Sequence, residues 1–168
     1  MNLFEHAAET LRACRAAGLT LVTAESCTGG LIAAALTEVP GSSDVVDRAY
    51  VTYSNGAKSQ MLGVKAALIR SHGAVSAEVA TAMAEGALAK AKAGVAVSVT
   101  GIAGPGGGSA EKPVGLVQIA CAVEGRTVAQ RHLWRLIEPN ADRARIRALT
   151  ARAALLLVQD VVEASARP

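Results

Sequence analysis

Residues 19–37, LTLVTAESCTGGLIAAALT, contain the change of pattern that decides the fold. Residues 19–24 have the composition of a short strand, and residues 29–37 have that of a helix. Small polar residues and two glycines lie between them, so the strand passes into the helix through a short turn. A strand–turn–helix unit of this kind is typical of an α/β domain.

The flanking sequence predicts further helices and strands around this unit. Helices are predicted, from hydrophobic periodicity and from capping residues such as Ser76, at residues 3–17, 29–37, 54–62, 65–72, 77–92 and 141–163. Strands are predicted at residues 19–24, 45–53, 94–99, 114–122 and 126–134, the last two as a hairpin. The prediction is an α/β fold: a three-layer α/β/α sandwich with a mixed, mostly parallel sheet and a late β-hairpin, forming one domain over residues 1–168.

Composition and charge exclude several classes of function. Aromatic residues make up only 2% of the 168 residues, which argues against a stacking platform for single-stranded nucleic acid. The net charge of +3 is too mild for a dedicated nucleic-acid binder. No stretch has the apolar length of a membrane span, and residues 1–14 lack the apolar region of a signal peptide. We therefore expect a cytoplasmic protein with no nucleic-acid partner and no membrane partner.

The cysteines and histidines are too scattered for a metal centre. The chain has three cysteines, Cys14, Cys27 and Cys121, whose spacing fits neither a disulfide framework nor a zinc site. The first and last of them lie in apolar contexts and are predicted to be core thiols. The histidines are His6, His72 and His132. The sequence therefore predicts no metal and no cofactor.

Ser26 stands where the first strand ends and the next helix is about to begin. Free N–H groups at a helix N-terminus can stabilise an oxyanion near such a hydroxyl, and adjacent glycines allow a ligand to approach the backbone. Ser26 is therefore a candidate nucleophile. The alternative is that Ser26 or Thr28 only caps the helix. Cys27 is a rival nucleophile, although no base is apparent for it.

A second polar group lies at the end of the predicted strand 45–53. Lys58 follows Tyr53 by five residues, so both side chains can face the same strand end. A desolvated lysine has a lowered pKa and can act as a base towards a serine. No histidine stands near Ser26 in a known motif, so a serine–lysine pair is a better candidate than a Ser-His-Asp triad. The alternative is an ordinary solvated lysine on a helix.

A glycine-rich loop and an arginine pair could hold an anionic small molecule. Residues 101–113 directly follow a predicted buried strand, and backbone amides of such a loop can surround a phosphate. The loop matches neither the Walker A nor the dinucleotide-binding pattern, and a mobile loop without a ligand is the alternative. Arg143 and Arg147 are four residues apart on one helix face and could bind an anion, unless they are simply solvated or paired with Asp142.

Five segments, taken in order, resemble the CinA C-terminal domain family, the nicotinamide-nucleotide amidohydrolases. They cover almost the whole chain, and the first and fourth are long and specific. The segments are TAESCTGG (23–30), AYVTYSN-x-AK (49–58), HGAVS (72–76), SVTGIAGPGGGSAEKPVG (98–115) and DR-x-x-IR (142–147).

The resemblance implies hydrolysis of the carboxamide of nicotinamide mononucleotide to nicotinic acid mononucleotide and ammonia. It implies Ser26 as the nucleophile, Lys58 as the base and Tyr53 as a supporting residue. The substrate-binding residues expected from the motifs are Cys27, Thr28, Gly29, Gly30, Thr100, Gly101, Ile102, Ala103, Gly104, Arg143 and Arg147. It also implies the stand-alone form, without the molybdopterin-related N-terminal domain that some members carry.

Two other functions remain open from the sequence alone. The glycine-rich loop is also compatible with a nucleotide-binding module that does not turn over its ligand. The same Ser26–Lys58 pair is compatible with a serine amidase that acts on another small amide. We further expect a homo-oligomer, because Ala-rich helices pack well against one another, but its symmetry does not follow from the sequence.

Overall fold

A five-stranded sheet forms the middle layer of the protein in the computed structural model, which describes residues 1–165. Its strands are β1 (Leu21–Glu25), β2 (Val46–Val51), β3 (Val95–Gly101), β4 (Leu116–Val123) and β5 (Arg126–Leu133). The helices are α1 (Leu3–Ala16), α2 (Leu31–Thr37), α3 (Asn55–Leu62), α4 (Ala66–His72), α5 (Ala77–Ala91), α6 (Trp134–Ile137) and α7 (Arg143–Ser165), with a 3₁₀ turn at Ser42–Asp44. Within this part of the chain, no helix is long and apolar enough to cross a membrane.

The sheet has the strand order β2-β1-β3-β4-β5. The pairings β1–β2 and β1–β3 are parallel, whereas β3–β4 and β4–β5 are antiparallel. Two of the four pairings are therefore parallel, and only β4 runs against the other four strands. This arrangement confirms the predicted α/β fold with a mixed sheet and a late hairpin.

Alternation along the strands divides the core between the two faces of the sheet. Leu21 on β1 and three valines of β3 pack in the core that includes residues of α1, α2 and α7; the valines are Val95, Val97 and Val99. Val22 and Ala24 on β1, with Ala96 on β3, pack in the core that includes residues of α3, α4 and α5. Because successive side chains of a strand point to opposite faces, a short strand such as β1 serves both layers.

The end of β2 and the start of α7 differ slightly from the predicted boundaries. β2 ends at Val51 instead of residue 53, since Ser54 accepts a hydrogen bond from the amide of Ala57 (3.0 Å) and begins α3. α7 begins at Arg143 instead of residue 141, since the Asp142 carboxylate accepts the amide N–H of Arg145 (2.7 Å). Both shifts follow from capping, which satisfies an N–H at the helix end that has no partner within the helix.

The short helix α6 was not predicted. The predicted strand 126–134 ends at Leu133, because the amide of Trp134 turns to donate to the carbonyl of Gly115 (3.0 Å). The indole of Trp134 is buried and donates to the Thr150 hydroxyl on α7 (3.0 Å). A long-range contact therefore ends the strand where composition alone would continue it.

The chain order places one edge of the sheet at a topological switch point. From β1 the chain passes to β2 on one side, and from β2 it passes to β3 on the other side of β1. The carboxyl ends of the three parallel strands therefore meet at one edge. In open α/β sheets, ligands bind in the crevice at such a switch point.

Candidate active site

Ser26 and Lys58 are in direct contact at this edge of the sheet. Ser26 follows the last residue of β1, and Lys58 lies near the start of α3, which follows β2. The Lys58 Nζ donates to the Ser26 Oγ over 3.1 Å. The two side chains, 32 residues apart in sequence, thus form the hydrogen-bonded pair that a nucleophile and its base require.

The Lys58 ammonium group has little access to water. Its side chain is among the largest that are almost fully buried, and the residue is only 2% exposed. Its second hydrogen bond goes to the backbone carbonyl of Thr52 (3.0 Å), and it forms no salt bridge with a carboxylate among residues 1–165. Burial therefore lowers the pKa of Lys58, because desolvation disfavours its charged form.

Glu25 holds the turn that carries Ser26. Its position on β1 directs the side chain towards α2, where the carboxylate accepts the amide N–H groups of Gly30 (3.0 Å), Ile32 (3.1 Å) and Ala33 (2.9 Å). The Glu25 carboxylate is fully buried. It satisfies the free donors at the start of α2 and complements the positive end of the helix dipole. The sequence analysis considered only Ser26 or Thr28 as a possible cap of this helix and did not identify Glu25.

Some amides at the start of α2 already have acceptors within the protein, so they cannot donate to an oxyanion. The Gly30 amide donates to Glu25, and the Gly29 amide donates to the Ser26 carbonyl (3.0 Å). Neither amide is therefore available to a substrate in this conformation. The amide of Cys27 donates to no other residue among residues 1–165, and Cys27 lines the pocket beside Ser26, so this amide is the remaining candidate donor. Thr28 is fully buried and lies outside the pocket lining.

Arg147 supports the same turn from the opposite side. Its Nε donates to the carbonyl of Cys27 (3.1 Å), and its Nη2 donates to the carbonyl of Thr28 (2.7 Å). The turn after β1 is therefore held between the Glu25 carboxylate, which accepts its following amides, and the Arg147 guanidinium, which binds its carbonyls. Two of the three guanidinium nitrogens of Arg147, which was predicted to bind an anion, are thus engaged in internal hydrogen bonds.

Ser26 and Lys58 open onto a pocket of about 240 Å³. Eight of the predicted site residues line it, namely Ser26, Cys27, Tyr53, Lys58, Thr100, Gly101, Ala103 and Arg143. Three lining residues were not predicted as site residues, namely Asn55, Ala74 and Val75. Ala74 and Val75 belong to the HGAVS segment, so the motif itself is the signal that could have indicated them. Predicted residues outside this lining are Thr28, Gly29, Gly30, Ile102, Gly104 and Arg147.

Tyr53 and Arg143 form the rim of the pocket. The Arg143 Nη2 donates to the Tyr53 hydroxyl (2.9 Å), and its Nη1 donates to the carbonyl of Gly104 (2.7 Å). Tyr53 is 62% exposed and makes no hydrogen bond to Lys58 among the residues described. The structure therefore shows no direct contact through which Tyr53, expected as a supporting residue, would orient Lys58. Arg143 presents a permanent positive charge at the pocket mouth instead.

The end of β3 and the following loop form the opposite wall. The Thr100 hydroxyl donates to the carbonyl of Ala74 (2.9 Å), which joins this strand to the segment before α5. Gly101 lies so close to β4 that a Cβ atom would stand 2.6 Å from a side-chain atom of Val117. The Ile102 amide donates to Leu116 and its carbonyl accepts from Gly115, so this residue is fixed by backbone pairing away from the pocket.

Cys27 does not have the properties of a reactive thiolate. Its side chain is buried, and burial raises its pKa to about 11. A thiol of this kind is protonated at neutral pH and is a weak nucleophile. Cys14 and Cys121 are also buried, as predicted for core thiols. Among residues 1–165, no group of three or more potential metal-ligating side chains comes together.

Replacing Glu25 tests its control of the turn. In Glu25→Gln, an amide NH₂ group replaces one carboxylate oxygen and faces donors that need an acceptor. We expect the free energy of unfolding to fall by about 2 kcal/mol, because buried amides lose their acceptor. Chemical denaturation measures this change, and Glu38→Gln at the exposed end of α2 is the matched control. Equal effects of the two substitutions would contradict the role given to Glu25.

The fold and the site together define the class of this protein. It is a three-layer α/β domain with a buried serine–lysine pair at the switch point of its sheet. The chain belongs to the CinA C-terminal domain family, which matches residues 4–162. Membership of this family is consistent with an enzyme.

Relatives and solved structures agree with this assignment. A CinA-like protein of Syntrophobacter fumaroxidans is 51% identical over 148 residues, which cover 88% of this chain and 34% of that protein. The chain spans about a third of the length of the curated relatives that it matches. The competence/damage inducible protein CihA from Agrobacterium tumefaciens has a TM-score of 0.90 at 47% identity, covering 97% of this chain and 96% of that one. A CinA superfamily protein from Escherichia coli has a TM-score of 0.87 at 31% identity, covering 96% and 90% of the two chains.

Proposed function

We propose that this protein hydrolyses the carboxamide of nicotinamide mononucleotide to nicotinic acid mononucleotide and ammonia. The single observation that supports this most strongly is the buried Lys58 Nζ, 3.1 Å from the Ser26 Oγ at the wall of a pocket. The resemblance of the sequence motifs to the nicotinamide-nucleotide amidohydrolases supplies the substrate. The pair supplies a mechanism that needs no metal ion.

The first half of the reaction forms an ester on Ser26. Neutral Lys58 accepts the Ser26 hydroxyl proton while Oγ attacks the carboxamide carbon. The oxyanion that forms is stabilised by the free amide of Cys27, whose partial positive charge is fixed before the reaction. The C–N bond then breaks, and the Lys58 ammonium gives its proton to the departing nitrogen, which leaves as ammonia.

The second half of the reaction releases the acid. A water molecule attacks the ester carbonyl and gives a proton to Lys58, which is neutral again after the first half. The bond between the acyl carbon and Ser26 Oγ then breaks, and Lys58 returns the proton to Oγ. The products are nicotinic acid mononucleotide and the original enzyme, so the overall reaction consumes one water and produces one ammonia.

Arg143 is the residue of the pocket rim best suited to the substrate phosphate. Its guanidinium is already oriented by the Gly104 carbonyl and the Tyr53 hydroxyl. A phosphate bound there would contact a permanently charged guanidinium that forms no hydrogen bond with the turn carrying Ser26. Arg147 has its Nε and Nη2 committed to that turn, so it contributes to catalysis by positioning Ser26.

A comparison of substrates with the purified protein tests the proposal. Ammonia release is measured with nicotinamide mononucleotide, nicotinamide riboside and free nicotinamide at equal concentrations. We expect release from the mononucleotide and a kcat/KM at least about tenfold lower for the two substrates that lack the phosphate. Binding of the mononucleotide without ammonia would favour a nucleotide-binding module. Equal hydrolysis of simple amides would favour a general serine amidase.

The pH dependence of the reaction follows from the state of Lys58. The base must be neutral in the free enzyme, and its pKa lies below the ordinary value of 10.5 because the side chain is buried. We therefore expect kcat/KM to rise with pH and to level off once pH exceeds that lowered pKa. A profile measured with nicotinamide mononucleotide that falls across this range would contradict a lysine base.

Replacing Cys27 separates the two candidate nucleophiles. We expect Cys27→Ala to keep kcat within about tenfold of the wild-type value, because a thiol with a pKa of about 11 contributes little thiolate at neutral pH. The remaining loss reflects the small cavity left beside Ser26. Steady-state ammonia release measures the effect. A loss as large as that of a Ser26 substitution would make Cys27 the nucleophile.

A further inference from the structure

A second groove, of about 400 Å³, lies between helix α7 and the edge strand β5. We call it the α7–β5 groove. Its lining is mainly apolar and comprises Gln130, His132, Trp134, Ile137, Leu149, Arg152, Ala153, Leu156, Leu157 and Asp160. It shares no lining residue with the active-site pocket, so it requires a separate explanation.

Two of the three most exposed large apolar side chains within the described residues lie beside this groove. Leu136 is 78% exposed and Ile137 is 68% exposed, and both belong to the short helix α6 that begins at Trp134. The rings of His132 and Trp134 stack at a centroid distance of 4.5 Å and form part of its lining. An apolar groove with an apolar projection at its edge is typical of a protein interaction surface.

The charges along α7 indicate what kind of protein fits this surface. Arg152, Leu156 and Asp160 are spaced four residues apart and form one ridge of the helix along the groove. Arg152 and Asp160 are exposed, and neither forms an ion pair within residues 1–165. Leu156 lies midway between a positive and a negative side chain, each about 6 Å away along the helix axis.

This ridge is complementary to a copy of itself that runs in the opposite direction. A two-fold axis at Leu156 places that side chain against its equivalent. It also places Arg152 of each copy beside Asp160 of the other. A parallel arrangement would instead bring like charges together. A two-fold interface uses the same patch on both subunits, so it requires self-complementarity of this kind.

We propose that the α7–β5 groove is a homodimer interface, in which a second copy of this chain lays its α7 antiparallel across the first. Leu156 lies at the crossing point, and helices that interdigitate such i, i+4 ridges cross at about 50°. An Arg152–Asp160 pair between the two subunits lies on each side of this crossing point. The apolar side chains of α6, at the edge of the groove, are buried in the same interface. The Arg152–Asp160 pairs fix the antiparallel direction of the helices.

Charge reversal tests this interface without altering its apolar centre. In Arg152→Glu, both intermolecular pairs become repulsive, and the same is true of Asp160→Arg. We expect each variant to weaken dimerisation by about tenfold or more, as measured by sedimentation over a range of concentrations. An equimolar mixture of the two variants should recover the dimer, because every pair across the mixed interface again joins opposite charges. Native mass spectrometry identifies that heterodimer by its mass.

Each result decides for or against the proposal. Recovery of the heterodimer from two weakened variants, both with unchanged circular dichroism and thermal melting, supports the interface. A wild-type protein that stays monomeric at about 100 µM overturns it and leaves the groove to a different partner. Wild-type dimer affinity in either single variant also overturns it, and so does a mixture of folded variants that stays monomeric.

Discussion

Replacing Lys58 with methionine is expected to lower the kcat/KM for nicotinamide mononucleotide by roughly 10³-fold or more. Methionine fills much of the same buried space, but it can neither accept the Ser26 proton nor return it to the leaving nitrogen. Since Lys58 is 2% exposed, water is poorly placed to substitute as the base. Lys65→Met, which changes an exposed lysine at the start of α4, is the matched control and should leave kcat/KM unchanged. Activity in Lys58→Met close to that of the control would contradict the proposed base.

The same variant has a consequence for stability that can be measured independently of activity. The folded state holds Lys58 at a pKa below the unfolded value of 10.5, so between these two values the unfolded chain binds more protons. The contribution of Lys58 to stability therefore increases as pH rises through this window. Denaturant unfolding at several pH values should show that the free energy of unfolding of the wild type rises relative to that of Lys58→Met as pH increases through this window. A constant difference between the two proteins would contradict the lowered pKa.

Replacing Ser26 with alanine is expected to cause the largest loss of activity, roughly 10⁴-fold or more in kcat. The variant removes the atom that attacks the carboxamide and leaves the pocket walls and Arg143 unchanged. Affinity for nicotinamide mononucleotide should therefore stay within about threefold of wild type, because a hydroxyl that acts only in the reaction contributes little to ground-state binding. Ammonia release and calorimetric titration measure the two quantities.

The control for this substitution is Ser71→Ala on α4, whose exposed hydroxyl, within residues 1–165, hydrogen-bonds only to backbone carbonyls of its own helix. It should leave both kcat and affinity unchanged. A Ser26→Ala variant that releases ammonia within about tenfold of the wild-type rate would show that Ser26 is not the nucleophile. A variant that loses binding along with activity would instead indicate that the hydroxyl holds the substrate.

The sequence predicted the reactive pair because its residues follow the ends of neighbouring strands. Ser26 comes directly after β1, and Lys58 lies in α3, the helix that follows β2 after a short turn. Local patterns placed each residue at the end of a strand, and the family resemblance assigned the two as nucleophile and base. The distance between their side chains did not follow from the sequence, because it depends on β1 and β2 being parallel neighbours in the sheet. Local patterns also predicted the helices and strands, apart from α6 and a few residues at the ends of the others.

The contacts that hold the turn carrying Ser26 could not be predicted in the same way. The contact of Arg147 with the carbonyls of Cys27 and Thr28 joins segments far apart in sequence, and no local pattern encodes it. The role of Glu25 depends on the face of β1 to which its side chain points. An acid at the end of a strand, shortly before a helix, was a usable signal, but Ser26 and Thr28 offered the more familiar cap. The turn at Trp134 likewise depends on its tertiary hydrogen bond to Gly115.

The most direct test of the proposed mechanism is to locate the covalent intermediate. The protein is mixed with excess nicotinamide mononucleotide and quenched in acid at times from milliseconds to completion, and its peptides are mapped by mass spectrometry. The proposed mechanism predicts an acyl mononucleotide ester on Ser26 that forms with the first ammonia released and is absent in Ser26→Ala. An acyl group on Cys27, or ammonia released over many turnovers while the protein mass never changes, would contradict it.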